Sequence, residues 1–114
     1  MYEIRPVNSF EGPYRGSVYL VKSTEGSSER PWIVISNNVR NEFTETVTAV
    51  MVTTIQKGLI HRVEMSSADP IPGFANCDYA KTIHRDEISQ DAGALSRATM
   101  RKVEQAFKWA HGLS

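Results

Sequence analysis

The sequence predicts a mainly β fold of the α+β kind, a small antiparallel barrel or sandwich closed by one C-terminal helix. Three observations carry that prediction. Short runs of β-branched and aromatic residues recur through the first three-quarters of the chain, turn-forming residues separate them, and helical periodicity appears only near the end. With 114 residues the chain holds one core and no independent second module, so function must lie on the surface of one small fold.

The first strand is expected over residues 17–21, SVYLV, with Gly16 before it and a turn at residues 25–28 after it. Residues 32–35 are continuously apolar, as in a central strand buried on both faces. A polar loop containing Asn37, Asn38 and Asn41 leads to a strand over residues 46–53. Residues 61–65 alternate, with Val63 and Met65 on one side and Arg62 and Glu64 on the other, as where one face is wet. After the turn-rich SSADPIPG, strands are expected over residues 74–77 and around residues 81–83. Met100, Val103, Phe107 and Ala110 then recur at helical spacing, Ser96 stands at the N-cap position and Gly112 marks the end. There is no internal repeat and no low-complexity tract.

Thirteen Lys and Arg balance thirteen Asp and Glu, so no global basic field exists to hold nucleic acid non-specifically. Any such site must be local. Lys57, His61 and Arg62 fall within six residues that hold no acid, whereas Arg97, Arg101, Lys102 and Lys108, beside Glu104, read as a solvated helix face. Cys77 is the single cysteine, which excludes an intramolecular disulfide and a cysteine-rich metal site and fits a reducing cytoplasm. The N-terminal segment lacks the apolar stretch of a signal peptide, and no run of eighteen apolar residues offers a membrane span. His61, His84 and His111 are far apart and form no HExxH-type set, so His84 and His111 read as surface histidines; GxSxG, Walker and GxGxxG motifs are absent too. No metal and no cofactor is expected.

The chemistry points to two strand ends. Arginine enters the run RPWIVISNN at Arg30, and the pair Thr53 and Thr54 closes VTAVMVTT. A permanently charged, fork-shaped guanidinium beside hydroxyls suits a phosphodiester. RNA carries its own nucleophile, the 2′-hydroxyl, so a protein that cleaves it must manage protons and the extra charge on phosphorus. Arg30 would meet the non-bridging oxygens, and the Thr53 hydroxyl would hold the phosphate in line. The residues alone leave two plainer readings open: Arg30 as an ion-pair partner of Glu29 or Glu25, and the threonines as ordinary strand formers.

The segments RGSVYLV from Arg15, RPWIVISNN, VTAVMVTT, DYAKTI from Asp78 and the closing ALSRATMRKVEQAFKWAHGL together resemble the MazF/PemK group of toxins, in that family's order and approximate spacing. The resemblance covers nearly everything from Arg15 to Leu113, making residues 15–114 the toxin domain and residues 1–14 an N-terminal extension. It implies an SH3-like barrel with a C-terminal helix, as in CcdB and MazF toxins, and a cytoplasmic homodimer. It also implies a metal-independent endoribonuclease of a type II toxin-antitoxin system, cutting single-stranded RNA by 2′-hydroxyl attack and so stopping translation and growth. The implied partner is an antitoxin whose disordered tail occupies the RNA groove, with operator DNA bound only by the toxin-antitoxin complex and no membrane involved.

Carried over residue by residue, the resemblance places catalysis on Arg30 and Thr53. It puts the acidic, basic and hydroxyl positions of a D-Q-x-R/K-T/S stretch at Asp78, Lys81 and Thr82, for base recognition and groove shape. Tyr79 replaces the usual glutamine and offers a stacking surface. Thr54 and the loop holding Gln56, Lys57 and His61 border the groove, and Glu29 closes a shortened first loop, STEGSSERP, similar to that of some actinobacterial members. Asn76 stands where some PemK-type members carry a catalytic arginine, which places more of the chemistry on Arg30. Two alternatives accompany this reading: a CcdB-like topoisomerase inhibitor on the same fold, and an inactive member that only binds nucleic acid or antitoxin.

Overall fold

The computed structural model describes residues 10–22, 29–55 and 62–113. Six strands form one antiparallel sheet: β1 (Ser17–Lys22), β2 (Glu29–Val34), β3 (Thr46–Thr53), β4 (Arg62–Glu64), β5 (Phe74–His84) and β6 (Ile88–Ala94). Helices α1 (Asn38–Phe43) and α2 (Arg97–Ala110) complete it. The strand order is β4-β5-β3-β2-β1-β6, and among the described residues no ladder joins β4 to β6. The sheet is therefore open, and "barrel" describes it only loosely.

Alternation along the strands gives each sheet face its own apolar cluster. On one face Val18, Ile33, Val50, Val52, Ala75 and Cys77 pack together under Val103 of α2. On the other lie Tyr19, Val21, Trp32, Val34, Val47, Ala49 and Ile83. The run predicted as a doubly buried central strand is one: Trp32 and Val34 face one side, Ile33 the other, and β2 sits between β3 and β1. Truncating Ile33, fully buried, to alanine would cost about 2–5 kcal/mol.

Helix α2 begins where predicted. Ser96 accepts a hydrogen bond from the Thr99 N–H at 3.2 Å, and Gly112, beyond the last turn, takes φ +69°. Its start is fastened to the distant turn that follows β4 by Asp69, whose carboxylate accepts from the Ser96 N–H at 2.8 Å, the Thr99 hydroxyl at 2.6 Å and the Ser66 N–H at 2.6 Å. Burial alone would raise the Asp69 pKa, but these hydrogen bonds outweigh it and hold the carboxyl at about 2.

Three elements differ from the sequence expectation. The two strands expected at 74–77 and 81–83 are one eleven-residue strand, because a bulge rather than a turn lies between them. The Asn37–Asn41 loop contains α1, started by Asn37, whose side chain accepts from the Val39 N–H at 2.7 Å; six residues are too few for a helical period to show. Strand β6, ISQDAGA, has little intrinsic β preference and is held by pairing with β1. Of the N-terminal extension, the Phe10 ring lies 5.7 Å from the Arg85 guanidinium and meets Tyr14 edge-on, while Ile4 and Val7 fall outside the described residues.

Candidate functional site

Strand register assembles the site. Tyr19, Trp32, Met51, Asn76 and Arg62 are successive cross-strand partners, one row running across β1, β2, β3, β5 and β4. Arg30 and Thr53 stand two residues further along β2 and β3, so they share the face of Trp32 and Met51. The hydrogen-bonded β2–β3 ladder stops at Trp32 and Met51, and the same register carried two residues onward brings Arg30 opposite Thr53.

The Arg30 side chain is exposed and makes no ion pair or hydrogen bond among the described residues. Its sequence neighbour Glu29 points to the opposite face of β2 and pairs across from Lys22, so adjacency does not bring the two charges together; Glu25 lies outside the described residues. The Thr53 Oγ1 accepts from the Ile55 N–H at 3.2 Å, which leaves its own O–H to donate. Thr54 is exposed just past the strand. Gln56, Lys57 and His61 lie outside the described residues.

The bulge in β5 builds the rest. Ala80 pairs with Val50, yet the next residue of β3, Met51, pairs with Asn76, so Cys77, Asp78 and Tyr79 have no direct partner. Asp78 and Tyr79 are thereby lifted out and exposed. The Tyr79 ring sits 5.8 Å from Trp32, and the Lys81 Nζ lies 6.0 Å from the same indole. Thr82 alternates to the face opposite Lys81. Trp32, only 7% exposed, is thus a fixed floor beneath Tyr79 and Lys81 and two residues from Arg30. From sequence Trp32 is expected only as core; the signal for its second role is that it shares a strand face with Arg30, at spacing i and i+2.

Support comes from behind. His111, expected as a surface histidine, places its Nε2 2.9 Å from the Cys77 carbonyl at the first bulged residue and stacks on Phe107 at 4.2 Å. Burial pushes the Cys77 thiol up to about 12, which removes it as a nucleophile. Gly73, at φ +119°, lets the chain pass so close to Thr53 that an added Cβ would lie 2.8 Å from the Thr53 carbonyl oxygen. The charged set on α2 is exposed as expected, with Glu104 bonded to Arg15 at 2.8 Å and to Lys108 at 3.5 Å.

Among the described residues no three His, Cys, Asp or Glu side chains converge as metal ligands, and no helix is long and apolar enough to cross a membrane. A concavity of about 310 Å³ lined by Tyr19, Arg85, Gln90 and Asp91 lies toward the β6 edge and contains none of the candidate residues. The site is instead an open surface, the form suited to a polymer that lies across it: fixed cation, hydroxyl, aromatic platform and second cation.

The chain is similar to known proteins over most of its length. A family model described as "PemK-like, MazF-like toxin of type II toxin-antitoxin system" matches residues 14–111. "Endoribonuclease MazF1" of Mycobacterium bovis is 38% identical over 101 residues, spanning 89% of this chain and 94% of the relative. A solved mycobacterial endoribonuclease in complex with its cognate antitoxin superposes with a TM-score of 0.85 at 37% identity, over 90% of this chain and 98% of that one. A MazE-MazF structure from Deinococcus radiodurans, at 20% identity and a TM-score of 0.78 over 90% of this chain and 97% of that one, shares the fold.

Proposed function

Since the chain belongs to the PemK-like, MazF-like toxins of type II toxin-antitoxin systems and is an endoribonuclease of that kind, we propose that it cleaves single-stranded RNA on the face shared by Arg30 and Thr53. The observation that carries this reading is Arg30: a permanent cation, unpaired among the described residues, in register with a hydroxyl and beside an aromatic platform. An RNA phosphate fits there, with its non-bridging oxygens on the Arg30 fork and one oxygen accepting from the Thr53 hydroxyl.

The ribose 2′-hydroxyl loses its proton and attacks phosphorus, and the bond to the 5′-oxygen breaks as that oxygen gains a proton. Charge accumulates on the non-bridging oxygens, where Arg30 stabilises it. The products are a 2′,3′-cyclic phosphate and a 5′-hydroxyl. Tyr79 stacks on a neighbouring base, Asp78 accepts from an exocyclic amine and Lys81 meets backbone phosphate. The bulge sets Asp78 and Tyr79 apart from the chemistry, so Asp78 reads the sequence that is cut, while Tyr79 and Lys81 hold the strand.

The protein acts as a cytoplasmic homodimer and is restrained by an antitoxin whose tail covers this face; the mycobacterial relative solved with its cognate antitoxin supports such a partner. Relatives named as endoribonucleases favour RNA cleavage over topoisomerase inhibition.

The test is to incubate the purified protein with long RNA in EDTA and map every new end. Fragments with 5′-hydroxyl and cyclic-phosphate ends at a short common sequence are expected. Intact RNA, or 5′-phosphate ends, would overturn the reading.

A further inference from the structure

Arg62 and Asn76 are cross-strand partners on β4 and β5, in the same row as Trp32 and Met51 and therefore on the face of Arg30 and Thr53. Each holds one buried polar atom without a hydrogen-bond partner: a donor, the Arg62 Nε, and an acceptor, the Asn76 Oδ1. A buried guanidinium nitrogen left unbonded is costly, and so is a buried amide oxygen. The Arg62 Nη1 donates to the Ile55 carbonyl, and the Ile55 N–H donates to the Thr53 hydroxyl oxygen, so the backbone of Ile55 ties Arg62 to Thr53. Arg62 has no ion pair among the described residues, although Glu64 follows two residues later on the same face.

We propose that Arg62 and Asn76 form a ribose-phosphate subsite for a nucleotide next to the one that is cut. This rests on the RNA-cleavage reading and extends it. The subsite needs a ligand with an anionic acceptor for the Nε–Nη2 edge of Arg62 and a hydroxyl donor for the Asn76 Oδ1. An RNA backbone unit offers both, as phosphate and 2′-hydroxyl, whereas DNA lacks the second. Nη1, held by Ile55, keeps the guanidinium plane fixed. Because the contact lies on a neighbouring nucleotide and not at the reacting phosphate, it strengthens binding of the ground and transition states alike.

The experiment uses the full chain and an RNA made uncleavable by a single 2′-deoxy substitution at its mapped cut site, or a random-sequence RNA if none maps. Removing one phosphate contact lowers the slope of log affinity against log salt by about 0.7 for a single strand. Arg62→Gln should show that drop and raise the KM for cleavage about tenfold with kcat less affected, while Arg62→Lys keeps the wild-type slope. Asn76→Leu should shrink the preference for RNA over the all-deoxy oligonucleotide about tenfold. In the wild type the Arg62 Nε–H resonance should move on adding the RNA, a measurement independent of how the variants fold. A salt slope unchanged in Arg62→Gln, or a resonance that stays put, overturns the proposal while leaving wild-type cleavage and its dependence on Arg30 intact. A wild type that neither cuts nor binds RNA overturns both readings.

Discussion

The Tyr79 ring lies 5.8 Å from that of Trp32, tilted by 50°, so an exposed aromatic on the bulge rests against a buried one in the sheet. That contact orients Tyr79 as a platform for a base. Removing a stacking aromatic costs about 1–3 kcal/mol per base, so Tyr79→Ala should weaken RNA binding roughly 5- to 150-fold. Tyr79→Phe should bind like the wild type. Fluorescence anisotropy with an uncleavable RNA checks both.

Gly73 gives a test of how tightly Thr53 is placed. Alanine there would need the left-handed φ of +119° and would put a Cβ 2.8 Å from the Thr53 carbonyl oxygen, so backbone must move. A destabilisation of about 1–3 kcal/mol is expected, visible in denaturant unfolding. Cleavage should slow even at temperatures where Gly73→Ala is fully folded, because Thr53 shifts with its carbonyl.

Asp69 predicts an acid limit. Its folded-state pKa of about 2 lies below the ordinary 3.8, so the unfolded chain binds its proton first as pH falls. The stabilisation is complete above pH 3.8 and fades as pH falls toward 2, and it amounts to about 2 kcal/mol. Asp69→Asn should lose about that much at pH 7, and the gap to wild type should narrow between pH 4 and 2 in urea unfolding.

How much of this was legible beforehand follows from physical range. The strand expected over residues 17–21, the apolar run 32–35 and the Met100, Val103, Phe107 stripe declare themselves through local pattern, and the structure has strands Ser17–Lys22 and Glu29–Val34 and helix Arg97–Ala110 there. Strand β6 does not, because its residues gain order from β1 rather than from their own preferences. Arg30 and Thr53 could be named from strand ends and resemblance, but that Trp32 floors Tyr79 and Lys81 depends on a register shift between Val50 and Met51 that no local pattern encodes. The same shift sets Asn76 opposite both Met51 and Arg62. An uncharged residue at Asn76 suggested a missing cation, and the register places Arg62 across from it. Glu29 shows the converse, that sequence adjacency on a strand does not pair charges: neighbours face opposite ways.

The most direct test concerns Arg30. Wild type and Arg30→Ala, purified alike, are incubated with long RNA in EDTA, and 5′-hydroxyl ends are counted by sequencing after their thermal unfolding curves have been matched. Loss of a cation that stabilises the charge building up on phosphorus in the transition state should cut the rate by about 100- to 1000-fold or more. The expected result is that loss with an unchanged unfolding midpoint. Wild-type cleavage by folded Arg30→Ala would contradict it.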